Sequence, residues 1–227
     1  MAAIKVMASA AFREAYLELV PEFERASGHQ VTTLWVPSVQ MMSRLKGGET
    51  VDLVILSAAS LDELVAAGIV AKRIDLARSG IGIAVRAGAP KPDVSSGEAV
   101  KRAVLAAKSV VYSTGPSGIY LAALFERMGI ASQVKAKLKQ VQGEPAGGVV
   151  ARGDAEIGFQ QMSELLPVAG IDIVGPLPRD IQQITAFSAG LHVAAREADA
   201  AKALVRFLTA PAAAPVIRKK GMEPVSA

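Results

Sequence analysis

The sequence predicts an α/β protein built on parallel-rich sheets, and three observations carry that prediction. Short β-branched or fully apolar runs alternate with amphipathic segments of roughly 8–14 residues, the order expected of parallel strands joined by helices. The run at 51–56 is almost continuously apolar, as a strand covered on both faces is. Glycines stand where helical periodicity stops, at Gly28, Gly47-Gly48, Gly68 and Gly129.

Residues 4–8 read as a first strand, after which Phe12, Tyr16, Leu19, Val20 and Phe23 recur at helical spacing. Pro21, inside that helix, is expected to kink or split it. Residues 31–36 form the second strand, closed by Pro37-Ser38, and residues 39–46 the next helix. The third strand is 51–56, and Ser60-Leu61-Asp62-Glu63 reads as a capping box opening a helix that ends near Gly68. Strands are expected at 81–86 and 109–113, a helix at 118–128, and further strands at 156–160 and 171–174. The stretch 87–96, with Gly88, Pro90 and Pro92, reads as a surface loop.

The 227 residues are 51% hydrophobic and 20% charged, enough for one large domain or two lobes and inconsistent with a disordered chain. The absence of Cys excludes disulfides, thiolate metal sites and thiol nucleophiles. A net charge of +4 suits small anions at long range but falls far short of a nucleic-acid footprint. The longest uncharged run, 109–125, is broken by Thr114-Gly115-Pro116-Ser117-Gly118, so no membrane insertion is expected. No basic and apolar leader precedes Ile4; the protein is expected in the periplasm if a leader has been removed and in the cytoplasm otherwise.

Two histidines, His29 and His192, lack metal-spaced partners, and no phosphate-cradling glycine motif is present, so neither a metal nor any other cofactor is expected. Lys135, Lys137 and Lys139 read as a solvated face. What recurs is a hydroxyl residue between a strand's carboxyl end and the next helix: Ser9, Ser38, Ser57 and Ser117. Strand ends of a parallel sheet share one edge, where helix starts present unpaired N–H groups and a positive dipole end, so these positions suit an anion. Helix capping is the simpler alternative for any one of them.

The segment Gly115-Pro116-Ser117-Gly118-Ile119-Tyr120 is the most specific, because glycines admit close backbone approach and Pro fixes the entering turn. Tyr120 lies one turn further in and is a candidate for the core. Gln160-Gln161 sets two amides at another strand end, where they would donate to ligand oxygens. Arg78 offers a bidentate partner for a carboxylate, with a surface or bracing role as the alternative.

Several stretches together resemble one family: Leu45-Lys46-Gly47-Gly48-Glu49 through Ile55, Ala77-Arg78-Ser79-Gly80-Ile81 through Pro90, Ser117-Gly118-Ile119-Tyr120, Arg152-Gly153-Asp154-Ala155-Glu156-Ile157-Gly158 and Phe207-Leu208-Thr209-Ala210-Pro211. They are similar to type II periplasmic solute-binding proteins of the molybdate-binding-protein-like family. The resemblance implies two lobes, residues 1–79 with 188–227 and residues 80–187, joined by two hinge crossings that close on a ligand. By position it implies ligand contacts at Ser9, Ser38, Ser117 and Gly143; with the residues read above, the expected contacts are Ser9, Ala10, Ser38, Val39, Ser57, Arg78, Ser117, Gly118, Ile119, Gly143, Gln160 and Gln161. Molybdate binders of this kind carry a Tyr where this chain has Gln160-Gln161. The run 157–167 looks more like the branch that contains aconitate isomerase, whose ligand is a small tricarboxylate.

Two functions follow as expectations. The preferred one is a monomeric binding protein for a small anion, an oxyanion or a polycarboxylate, delivering it to an ABC permease. The alternative is a cofactor-free isomerase interconverting cis- and trans-aconitate, for which Glu144, or failing that Tyr120, would be the base.

Overall fold

The computed structural model describes residues 1–225. In chain order the elements are β1 (Ala3–Ala8), α1 (Arg13–Ser27), β2 (Gln30–Trp35), α2 (Ser38–Lys46), β3 (Leu53–Ser57), α3 (Ala58–Ala66) and β4 (Val70–Arg86). They continue with α4 (Gly97–Ala106), β5 (Val110–Ser113), α5 (Pro116–Arg127), α6 (Ala131–Val134), β6 (Leu138–Val141), α7 (Ala146–Ala151), β7 (Ile157–Gln161) and α8 (Met162–Leu165). The last are β8 (Ile171–Pro176), β9 (Ile184–His192), α9 (Ala198–Thr209), α10 (Ala214–Lys219) and β10 (Glu223–Pro224). Two compact units result, one of residues 1–79 with the chain from Thr185 onward, the other of Gly80–Ile184. The chain passes between them within β4 and at the start of β9.

In the first unit β1 pairs in parallel with β2 and β3, so their carboxyl ends share one edge, and β9 pairs antiparallel to β3. Strand alternation divides the core. Ile4, Val6 and Ala8 meet the apolar stripes of α1 and α9, including Tyr16, Leu19, Leu204 and Leu208. Met7, Val54 and Leu56 meet Met41, Leu45, Leu61 and Leu64 from α2 and α3. Asp52 is buried and anchors the start of α9: Oδ1 accepts from Arg196 N (2.8 Å) and Glu197 N (2.9 Å), and Oδ2 from Lys5 N (2.7 Å).

In the second unit β5 pairs in parallel with β6 and β7, so Ser113, Val141 and Gln161 end on a common edge, while β7 and β8 run antiparallel to β4. One face packs Ile83, Val110 and Tyr112 against Val100, Leu121 and Phe125; the other sets Val111 on Ala146, Val149 and Val150. Residues 87–96 form an irregular, mostly exposed connection, as expected of the loop.

Four details depart from the sequence-based expectation. Helix α1 runs unbroken through Pro21, which is exposed; the carbonyl deprived of its donor belongs to Leu17, itself 48% exposed, so water can serve it. Helix α3 begins at Ala58 rather than at Ser60, because Ser57 is its cap. Strand β4 starts at Val70, where Lys72 and Arg73 hide the alternation. Finally, Lys137 is not merely solvated: its Nζ donates to the carbonyls of Leu105 (2.6 Å) and Ala107 (2.7 Å), closing the end of α4.

Candidate functional site

Each unit has its own polar edge. In the first, register places Ala8 beside both Trp35 and Ile55, and Ser9 continues β1 with its N–H donating to Ile55 O (3.0 Å). Ser9 is 5% exposed, and its Oγ has no hydrogen-bond partner among the described residues. An orphaned buried hydroxyl costs stability unless something else satisfies it. It does not cap the short 3-10 turn Ala10–Phe12 that follows. Ser38, half-buried, is the first residue of α2, whose N-cap position is Pro37 and carries no side-chain cap, and Val39 beside it is 54% exposed.

The remaining expectations for this unit change. Ser57 is occupied as a helix cap, accepting from Ser60 N (3.4 Å) and donating to Ser60 Oγ (2.9 Å). Arg78 is exposed within β4 opposite Glu223 of β10, on the face away from its buried neighbours Ala77 and Ser79. The histidines satisfy backbone donors: His29 Nδ1 accepts from Ala2 N and His192 Nδ1 from Ala194 N.

The edge of the second unit is more tightly wired. Ser117, 1% exposed, lies 3.4 Å (Oγ to Oγ) from Ser113, whose Oγ also accepts from Gly115 N (3.2 Å). Gly118 and Ile119 do not offer their N–H groups as anticipated, because both donate to Gly115 O as the helix starts. Gly118 has a packing reason instead: a Cβ there would lie 1.6 Å from Ser113 O. The Ile119 side chain is 65% exposed. Tyr120 is a fold residue, its hydroxyl donating to Ile181 O (2.8 Å).

Gln160 and Gln161 are both buried at the end of β7. The Gln160 amide is used twice within the unit: Oε1 accepts from Ala146 N at the start of α7 (2.8 Å), and Nε2 donates to Glu164 Oε1 (2.9 Å). It therefore organises the edge rather than standing free for a ligand. Glu164, half-buried, has its carboxyl pushed up to about 7 by burial, against the Gln160 hydrogen bond that favours the charged form. Next to it, Ser163 Oγ is buried without a hydrogen-bond partner among the described residues.

Glu144 is unsuited to the role of base. It is an exposed carboxylate paired with Arg152 (3.0 Å), which also holds Asp154 (3.2 Å). Neighbouring Gly143 adopts a left-handed turn and is exposed. Sequence reasoning missed Glu164, although the signal was present: a glutamate four residues after Gln160, where strand turns into helix, falls within reach of that amide.

Two α/β units whose parallel strands end on polar edges, with the chain crossing between them twice, define the class: the type II periplasmic binding protein fold. Among solved structures, the periplasmic molybdate-binding protein of Azotobacter vinelandii matches with a TM-score of 0.80 at 18% identity, over 96% of this chain and 98% of that one. The tungstate ABC transporter structure from Geobacter sulfurreducens matches with a TM-score of 0.75 at 16% identity, covering 96% and 98%. The chain belongs to the bacterial extracellular solute-binding protein family, whose model matches residues 4–223. It is also 40% identical to the aconitate isomerase of a Pseudomonas species, over 99% of this chain and 88% of that protein.

Proposed function

We propose that the chain binds one small polycarboxylate anion at the hydroxyl edge of the first unit and delivers it to an ABC permease. The observation that carries this reading is the buried Ser9 hydroxyl, which has no hydrogen-bond partner among the described residues and sits where parallel strands end. Ser38 and the start of α2 add hydroxyl and backbone donors of the kind a carboxylate accepts from. A carboxylate ligand rather than a tetrahedral oxyanion is favoured by identity to the aconitate isomerase, more than twice that to the molybdate-binding protein.

A thermal-shift series with molybdate, sulfate, citrate, cis-aconitate and trans-aconitate tests the reading. A ligand at 100 times its Kd adds about 2.7 kcal/mol of stability. The aconitates are expected to outperform molybdate; a molybdate response with none from any carboxylate contradicts the proposal.

A second reading, isomerisation of aconitate on the same scaffold, is favoured by the 40% identity and by Glu164. With an affinity for protons near neutrality, Glu164 is suited to take a proton from the ligand's CH2 group. The released electron pair spreads through the allylic unit into the adjoining carboxylate, and the proton returns at the other end, moving the double bond. Proton NMR of cis-aconitate with the protein is expected to show conversion that Glu164→Gln abolishes and Glu144→Gln does not. No conversion by the unaltered protein leaves binding as the whole function.

A further inference from the structure

Arg13 opens α1 four residues beyond Ser9, at the helix end where a positive charge is electrostatically disfavoured. Its guanidinium lies over the Trp35 ring, 5.4 Å from the centroid, and among the described residues it has no ion-pair partner. Arg44, Arg73 and Arg152 each hold a carboxylate. The platform under Arg13 is rigid: Trp35 packs edge-on against Tyr16 at 5.4 Å, and the Tyr16 hydroxyl shares a 2.6 Å hydrogen bond with Thr33 Oγ1. Trp35 is the register partner of Ala8, the residue before Ser9. An uncommitted cation is therefore held on an aromatic shelf whose register partner, Ala8, immediately precedes the residue with the orphaned hydroxyl.

We propose that Arg13 is a specificity-determining residue, taking one carboxylate of a tricarboxylate whose other groups reach the Ser9 and Ser38 donors. This rests on the polycarboxylate reading above and names how such a ligand is told from a compact oxyanion. A tetrahedral oxyanion is filled by hydroxyls and N–H groups at one helix start, whereas a tricarboxylate extends far enough to use a planar fork at the rim. Stacking on Trp35 keeps that fork oriented before the ligand arrives.

The test uses propane-1,2,3-tricarboxylate, with affinity read by calorimetry and, independently, by the emission of Trp35, the one tryptophan in the chain. The unaltered protein is expected to bind and to change its emission, because the guanidinium over the indole gains a carboxylate. Arg13→Gln is expected to weaken binding tenfold or more and to lose the emission change, and Arg13→Lys to recover part of the affinity. Binding by the unaltered protein with unchanged affinity in Arg13→Gln overturns the role of Arg13 and leaves the polycarboxylate reading intact. Failure of the unaltered protein to bind the tricarboxylate or either aconitate removes that reading, and this inference with it.

Discussion

The polar edges of the two units are built from the same kinds of residue and finished differently. In the first unit neither the turn after Ser9 nor the start of α2 carries a side-chain cap, and the Ser9 hydroxyl is left without a hydrogen-bond partner among the described residues. In the second, Gln160 bridges Ala146 N and Glu164, Ser113 serves Gly115 and Ser117, and Gly118 is pressed against Ser113. One edge keeps donors in reserve, and the other is held by its own hydrogen bonds. Substitution in the first should therefore change binding with little effect on stability, and substitution in the second should change stability first.

The sharpest break in that contrast is Gly118→Ala. A methyl group cannot share space with the Ser113 carbonyl, so the turn must move, at a cost of about 3 kcal/mol in chemical denaturation. A loss below about 0.5 kcal/mol would show that this edge is looser than its packing implies.

Next comes the pH dependence. Unfolded, the Glu164 carboxyl titrates near the ordinary 4.5, whereas burial raises it to about 7 in the fold. Between those values the folded protein keeps a proton that the unfolded chain has released, so this group makes stability fall as pH rises from about 4.5 to about 7, then level off. The drop should be about 2–3 kcal/mol, and Glu164→Gln should remove it. Denaturation midpoints at pH 5 and pH 8 with the same slope in both proteins would assign it elsewhere.

The smallest effect belongs to Glu144→Gln. An exposed pair with Arg152 contributes at most about 1 kcal/mol, so stability and ligand affinity should both stay nearly unchanged. A tenfold fall in affinity would return Glu144 to the site.

Much of the fold was legible because its signals are local. The continuous apolar run of β3, the helical stripe from Phe12 to Phe23 and the stop at Gly28 each follow from neighbours in sequence. The β4 segment from Val70 to Ser79 was not, because its outward charges interrupt the alternation and its pairing is supplied by distant strands. At the site, the hydroxyl positions could be read but not their occupation. Ser57 and Ser9 stand in equivalent places, yet only the structure distinguishes a cap from an orphan. The proton affinity of Glu164 was hidden for a related reason: it is raised by burial, against the opposing Gln160 hydrogen bond, and a single sequence displays neither.

The most direct measurement is calorimetric titration of trans-aconitate into the unaltered protein, Ser9→Ala and Ser38→Ala. Removing one hydroxyl donor to a charged ligand costs about 1.5–3 kcal/mol, roughly ten- to a hundredfold in Kd. A single site per chain, weakened by both substitutions while each variant keeps its thermal stability, is the expected result. Two independent sites, or an affinity that ignores either substitution, would contradict an anion held at the hydroxyl edge of the first unit.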